Sequence, residues 1–103
     1  MSLIKTTTTL IIFCLFITTL AYTKTAEDYF NSGYAKAELK KYRGAIQDYN
    51  KVIELNPNFV NAYYNRGIAK IKSGQKDDGC LDFSKAGELG SAKAYEAIKE
   101  VCN

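Results

Sequence analysis

The 103 residues include no histidine and no tryptophan, and three cysteines: Cys14, Cys80 and Cys102. The commonest general base and the commonest metal ligand are therefore missing, which sets catalytic and metal-site readings at a disadvantage. Asp77 and Asp78 are adjacent carboxylates, but they stand at the expected start of a helix, where negative charge complements the positive end of the helix dipole. The eight tyrosines are mostly accounted for by packing positions, and no glycine-rich phosphate loop is visible. Cys14 lies in an apolar N-terminal run, leaving Cys80 and Cys102 able to do covalent chemistry. They form either a disulfide, in an oxidising compartment, or two small buried hydrophobes. The bond would be worth about 3 kcal/mol in the chain-entropy account.

The elements that must position these residues belong to one small domain. Apolar residues make up 47% of the chain and charged residues 24%, a balance that folds rather than stays disordered. Residues 1–23, MSLIKTTTTLIIFCLFITTLAYT, place Lys5 before an apolar centre from Leu10 to Leu20. That centre is shorter than the roughly 20 residues of a bilayer span and suits a signal peptide, with Thr19 and Ala21 offering small residues for cleavage after Ala21. The expectation is a leader over 1–21, an exported periplasmic or secreted protein, and a domain over 22–103. The alternative is a membrane anchor over residues 6–23, and contact with a membrane follows only if this segment is retained. Without Lys5, 13 Lys and Arg stand against 11 Asp and Glu, too even and too interspersed for a nucleic-acid partner.

Shifting the chain by 34 aligns Tyr29 with Tyr63, Asn31 with Asn65, Gly33 with Gly67, Ala35 with Ala69 and Lys36 with Lys70. The match continues through Asp48 with Asp82, Lys51 with Lys85, Glu54 with Glu88 and Leu55 with Leu89. Residue usage of ~5–7% per type would give one or two such identities over the 28 positions concerned, so the chain is a repeat protein. Pro57, the single proline, separates the units: Asn56 before it is pushed out of the α region, ending a helix near Leu55. Helices are predicted over about 26–40, 43–55, 60–73, 77–89 and 91–102. Gly74 and Gly90 close two of them, and Ser91 caps the last. Ala45, Tyr49 and Val52 form one apolar stripe. Gly33 and Gly67 fall inside helices, at a cost of ~1 kcal/mol each, which implies close approach of a neighbouring helix; Gly79 serves the same closeness.

A 34-residue helix–turn–helix period with an aromatic, a glycine, an alanine, an aromatic and a proline at set intervals resembles the tetratricopeptide repeat (TPR) family. The first unit supplies Tyr29, Gly33, Ala45, Tyr49 and Pro57; the second supplies Tyr63, Gly67, Gly79, Phe83 and Ser91. Lys36 and Lys70 depart from the family's second aromatic, Gly79 from its alanine and Ser91 from its proline. The resemblance implies an all-α solenoid of helical hairpins: one repeat over about 26–59, another over about 60–93, and a capping helix at 91–102. In that cap Ala94, Ile98 and Val101 share a face, with Lys93, Glu96, Lys99 and Glu100 elsewhere.

The resemblance also implies a concave groove lined by the first helix of each unit, with Phe30, Asn31, Tyr34 and Glu38 from one and Tyr64, Asn65, Ile68 and Lys72 from the other. Residues 30, 34 and 38, and 64, 68 and 72, are each four apart, as one helix face requires. Peptide-binding members place an asparagine where Asn31 and Asn65 stand, and an amide can satisfy both the N–H and the C=O of an extended segment. The alternative is that these asparagines are solvated positions kept by duplication. A basic clamp for a chain terminus would need cations from a third repeat, and Lys36 and Lys70 read as lysines snorkelling over the helix surface. The functional expectation is a non-catalytic module binding a protein or peptide, with no cofactor and no metal; the alternative is an assembly subunit joined through its terminal faces.

Overall fold

In the computed structural model, residues 10–12 and 23–103 are described. The expected leader over 1–21 and the alternative anchor over 6–23 lie almost wholly outside the described residues. No helix among the described residues is long and apolar enough to cross a membrane. From Thr23 onward five helices follow one another: α1 (Ala26–Glu38), α2 (Tyr42–Leu55), α3 (Val60–Lys72), α4 (Lys76–Glu88) and α5 (Ala92–Val101). Each packs against the next, so α1 with α2 and α3 with α4 form two hairpins and α5 closes on α4.

Local chemistry accounts for the boundaries. Thr25 opens α1 by accepting from the Asp28 N–H at 3.2 Å, while the Asp28 carboxylate accepts from the Thr25 N–H at 2.9 Å. This reciprocal capping box satisfies two orphan donors of the first turn, and the two Thr25 bonds hold the Asp28 carboxyl below its ordinary range. Asn56 is extended, at φ −145° and ψ 92°, as the following Pro57 demands. Ser91 caps α5 by accepting from the Ala94 N–H at 3.3 Å.

Gly74 and Gly90 sit just past α3 and α4 in the left-handed region, at φ 90° and 109°. Around Gly74, the Gln75 N–H donates to Lys70 O at 2.8 Å and the Gly74 N–H to Ile71 O at 3.1 Å, which covers the last carbonyls of α3. The same closure ends α1, but there Lys40 occupies the left-handed position, at φ 60°.

The core is the expected stripe carried through both hairpins. Ala45, Tyr49 and Val52 are fully buried on α2; Phe83 and Ala86 on α4 and Ala94 on α5 continue it. Gly67 and Gly79 bring α3 and α4 together: a Cβ on Gly67 would stand 2.9 Å from Gly79 O, and one on Gly79 would stand 2.7 Å from Gly67 O. A Cβ on Gly33 would stand 2.8 Å from the Tyr49 ring, so the first hairpin is held close in the same way. On α5, Ala94 is buried and Ile98 and Val101 are half-buried, whereas Lys93, Glu96, Lys99 and Glu100 face outward. Cys80 and Cys102 are bonded, tying α4 to the end of α5.

Candidate functional site

The 34-residue period is a period of contacts as well as of residue types. Phe30 on α1 meets Tyr49 on α2 with ring centroids 5.8 Å apart, and its equivalent Tyr64 meets Phe83 at 5.4 Å. Lys36 Nζ lies 2.9 Å from Asp48 Oδ2, and Lys70 Nζ lies 3.0 Å from Asp82 Oδ2. In the first hairpin the Ser32 hydroxyl donates to Asp48 at 2.7 Å. In the second, Arg66 takes the corresponding place and donates to both Asp82 oxygens, at 2.8 and 2.7 Å, while its Nη1 donates to Asn50 Oδ1 at 2.8 Å. Arg66 thereby links the two hairpins. The two lysines, expected to snorkel over the helix surface, instead have their ammonium groups anchored on carboxylates of the facing helix, Lys70 with only 16% of its side chain exposed.

Between α1 and α3 lies a pocket of about 280 Å³. Tyr34 and Glu38 line it from α1, and Asn65, Ile68 and Lys72 from α3. Five of the eight residues expected in the groove thus converge on one cavity. Ala37, Lys40, Tyr42, Tyr49 and Ala69 complete the wall.

Phe30, Asn31 and Tyr64 stand apart from this pocket. Phe30 is covered by Phe59, at 5.0 Å between ring centroids, where the chain enters the second hairpin. Tyr64 is covered at the equivalent place by the ammonium group of Lys93, 4.4 Å from the ring centroid. One helical turn raises a residue by about 5.4 Å, enough to carry positions 30 and 64 under the next incoming helix while 34 and 68 stay at the opening. Asn31 is exposed, and Asn65 is half-buried in the pocket wall.

Two wall residues carry features that sequence reading passed over. Tyr49 was legible as core, and it is wholly buried, yet its hydroxyl has no hydrogen-bond partner among the described residues. Burial first, then the charges of Tyr34, Asp48 and Glu38, pushes that hydroxyl up to about 12. Lys40 was legible as the end of α1, but not as a wall residue. The Lys36–Asp48 and Lys70–Asp82 pairs did leave a signal, because both members recur at the 34-residue shift on helices that must face each other. Among the described residues, no group of three or more His, Cys, Asp and Glu side chains is placed to hold a metal ion.

The family model for the TPR repeat matches residues 33–74, which run from the packing glycine of α1 to the closing glycine of α3. This stretch carries the tetratricopeptide repeat pattern. Over 75 residues it is 46% identical to heat shock protein STI1 of Saccharomyces cerevisiae, a stretch that is 71% of this chain and 13% of that protein. Over 63 residues it is 35% identical to UDP-N-acetylglucosamine--peptide N-acetylglucosaminyltransferase of Giardia intestinalis, a stretch that is 61% of this chain and 4% of that protein. The chain therefore spans only a small part of the length of either relative, and the likeness is one of repeat units. TPR repeats are protein-interaction elements.

Proposed function

We propose that this TPR chain is a non-catalytic interaction module that holds an extended segment of a partner protein in the groove between α1 and α3. The observation that carries this reading is the convergence of Tyr34 and Glu38 with Asn65, Ile68 and Lys72 on one pocket shared by both hairpins. A groove assembled from two units reads two or more residues of a ligand at once, and the half-buried Asn65 amide supplies a donor and an acceptor for a peptide backbone. The test is affinity purification of the tagged full chain from its native cells, beside Asn31→Ala and Asn65→Ala variants. Loss of one ligand hydrogen bond should weaken capture about two- to tenfold for Asn65→Ala, with thermal unfolding almost unmoved. Asn31→Ala, outside the pocket, should change capture less. Undiminished capture by both variants, with a fixed oligomer in solution, would replace this reading by assembly through the terminal faces.

We also propose that the protein is exported and cleaved after Ala21. The Lys5 charge and the Leu10–Leu20 apolar centre support this, and the Cys80–Cys102 bond is of the kind that persists in an oxidising compartment. Intact-mass measurement on protein from native cells decides it: a chain still carrying residues 1–21 would favour the anchor.

A further inference from the structure

The turns that close the two hairpins are one backbone conformation carrying different chemistry. In the first, the Lys40 N–H donates to Ala37 O at 2.9 Å and the Lys41 N–H to Lys36 O at 2.8 Å. In the second, the equivalent Gly74 and Gln75 N–H groups donate to Ile71 O at 3.1 Å and Lys70 O at 2.8 Å. The second turn runs Ser73, Gly74, Gln75, Lys76, Asp77, polar and without net charge. The first runs Leu39, Lys40, Lys41, Tyr42, Arg43, which sets three cations around a leucine and a tyrosine. Closing the hairpin requires none of these side chains. Lys40 takes φ 60° where Gly74 takes 90°, a region open to glycine but strained for other residues. Leu39 is 67% exposed, at the place where the second turn has Ser73. Lys40, Lys41 and Arg43 are exposed as well, and none of them is in an ion pair among the described residues.

We propose that the tip of the first hairpin, Leu39–Arg43, docks on an anionic lipid surface, with Leu39 entering the interface and Lys40, Lys41 and Arg43 meeting lipid phosphates. The mixture of side chains selects the occupant. Cations alone would suit any polyanion, but an exposed leucine among them gains nothing from a solvated acidic chain or a nucleic-acid backbone. At a bilayer the leucine leaves water while the flanking cations stay at the headgroups. Tyr42, half-buried beside them, joins an apolar ring to a polar hydroxyl, as that boundary favours. Charge decides which edge of the domain leads. At the first tip three cations stand against Glu38, whereas at the second Lys72 and Lys76 are balanced by Asp77 and Asp78. The 13 residues of α1 put this tip about 20 Å from Thr25, so the contact does not draw on the N-terminal segment.

The test is flotation of the full chain with vesicles of phosphatidylcholine alone and of equal parts phosphatidylcholine and phosphatidylglycerol. Binding should require the phosphatidylglycerol and fall as salt rises. A Lys41→Gln, Arg43→Gln variant should bind about 25-fold more weakly, fivefold for each cation, which corresponds to about 1 kcal/mol apiece. Leu39→Ser should bind about fivefold more weakly. A Lys85→Gln, Lys99→Gln variant removes the same charge elsewhere and should bind like the unaltered chain. Ser73 and Gln75 show that the turn accepts two of the tip exchanges, and melting curves establish that each variant is folded. Leu39, Lys41 and Arg43 lie outside the pocket wall, so the groove reading stands or falls separately. Equal binding to both kinds of vesicle, or full-strength binding by either tip variant, would overturn the inference. So would a chain that ignores vesicles; if it instead bound poly-glutamate through the same residues, the tip would belong to an acidic protein partner.

Discussion

Replacing Gly67 by alanine should destabilise the domain, while the same change at Gly44 should not. In a helix interior the exchange gains about 0.8–1 kcal/mol from propensity alone. At Gly67 the new methyl would stand 2.8 and 2.9 Å from the Phe83 ring and 2.9 Å from Gly79 O, against ordinary separations of about 3.5–4.0 Å. Neither neighbour can yield cheaply, because Phe83 is 2% exposed and Gly79 O belongs to the backbone of α4. Overpacking of this kind costs about 1–3 kcal/mol; with neither neighbour able to yield, the upper part of that range applies, about 2–3 kcal/mol, which less the propensity gain leaves a net loss of about 1–2 kcal/mol. For a domain of this size that lowers Tm by about 5–15 °C. At Gly44 the nearest atom is Lys36 Cδ at 3.2 Å, part of a flexible, half-buried side chain, so most of the gain survives and Tm should rise by a few degrees. Circular dichroism melts of the two variants beside the unaltered chain, with urea midpoints as a second measure, give the comparison. A Gly67→Ala melt at or above that of the unaltered chain would refute the close contact of α3 with α4.

Three further outcomes are expected. Asp82→Ala strands Arg66 and Lys70, whose side chains are 17% and 16% exposed, and should cost about 3 kcal/mol in urea unfolding. Asp48→Ala strands Lys36, 42% exposed, and should cost less than half as much; equal losses would contradict the difference in burial. The Tyr49 hydroxyl is pushed up to about 12 in the folded chain from an unfolded value near 10, so the folded state favours its neutral form. The associated stability is whole below pH 10 and declines as pH rises towards 12; Tyr49→Phe should flatten that alkaline decline, and an unchanged curve would count against the burial of the hydroxyl. Thiol counting on unfolded native protein should find Cys80 and Cys102 unreactive. Their reduction should cost about 3 kcal/mol and free the α5 amides to hydrogen exchange before those of α1, whereas uniform loss of protection would show that the bond does not specifically hold the cap.

What the sequence determined by itself is the set of features that depend on residues a few positions apart. Pro57 ends α2 through a clash with its immediate neighbour, Gly74 and Gly90 take left-handed positions a bonded turn from their helix ends, and Ala45, Tyr49 and Val52 share a stripe through helical periodicity. The 34-residue period then dictates two like hairpins, and with them the core aromatics and five of the pocket residues. Only the tertiary structure decided which face meets which neighbour. Phe30 and Tyr34 share a helical face in sequence, yet the incoming chain at Phe59 covers the first and leaves the second half exposed beside the pocket. Lys36 and Asp48 are both visible as repeated residues, but their pairing requires α2 to fold back on α1 at a distance that Gly33 permits. The roles of Tyr49 and Lys40 were hidden for the same reason. A hydroxyl without a partner and a lysine on a pocket wall are properties of the space enclosed by three helices, and that space exists only once the helices have packed.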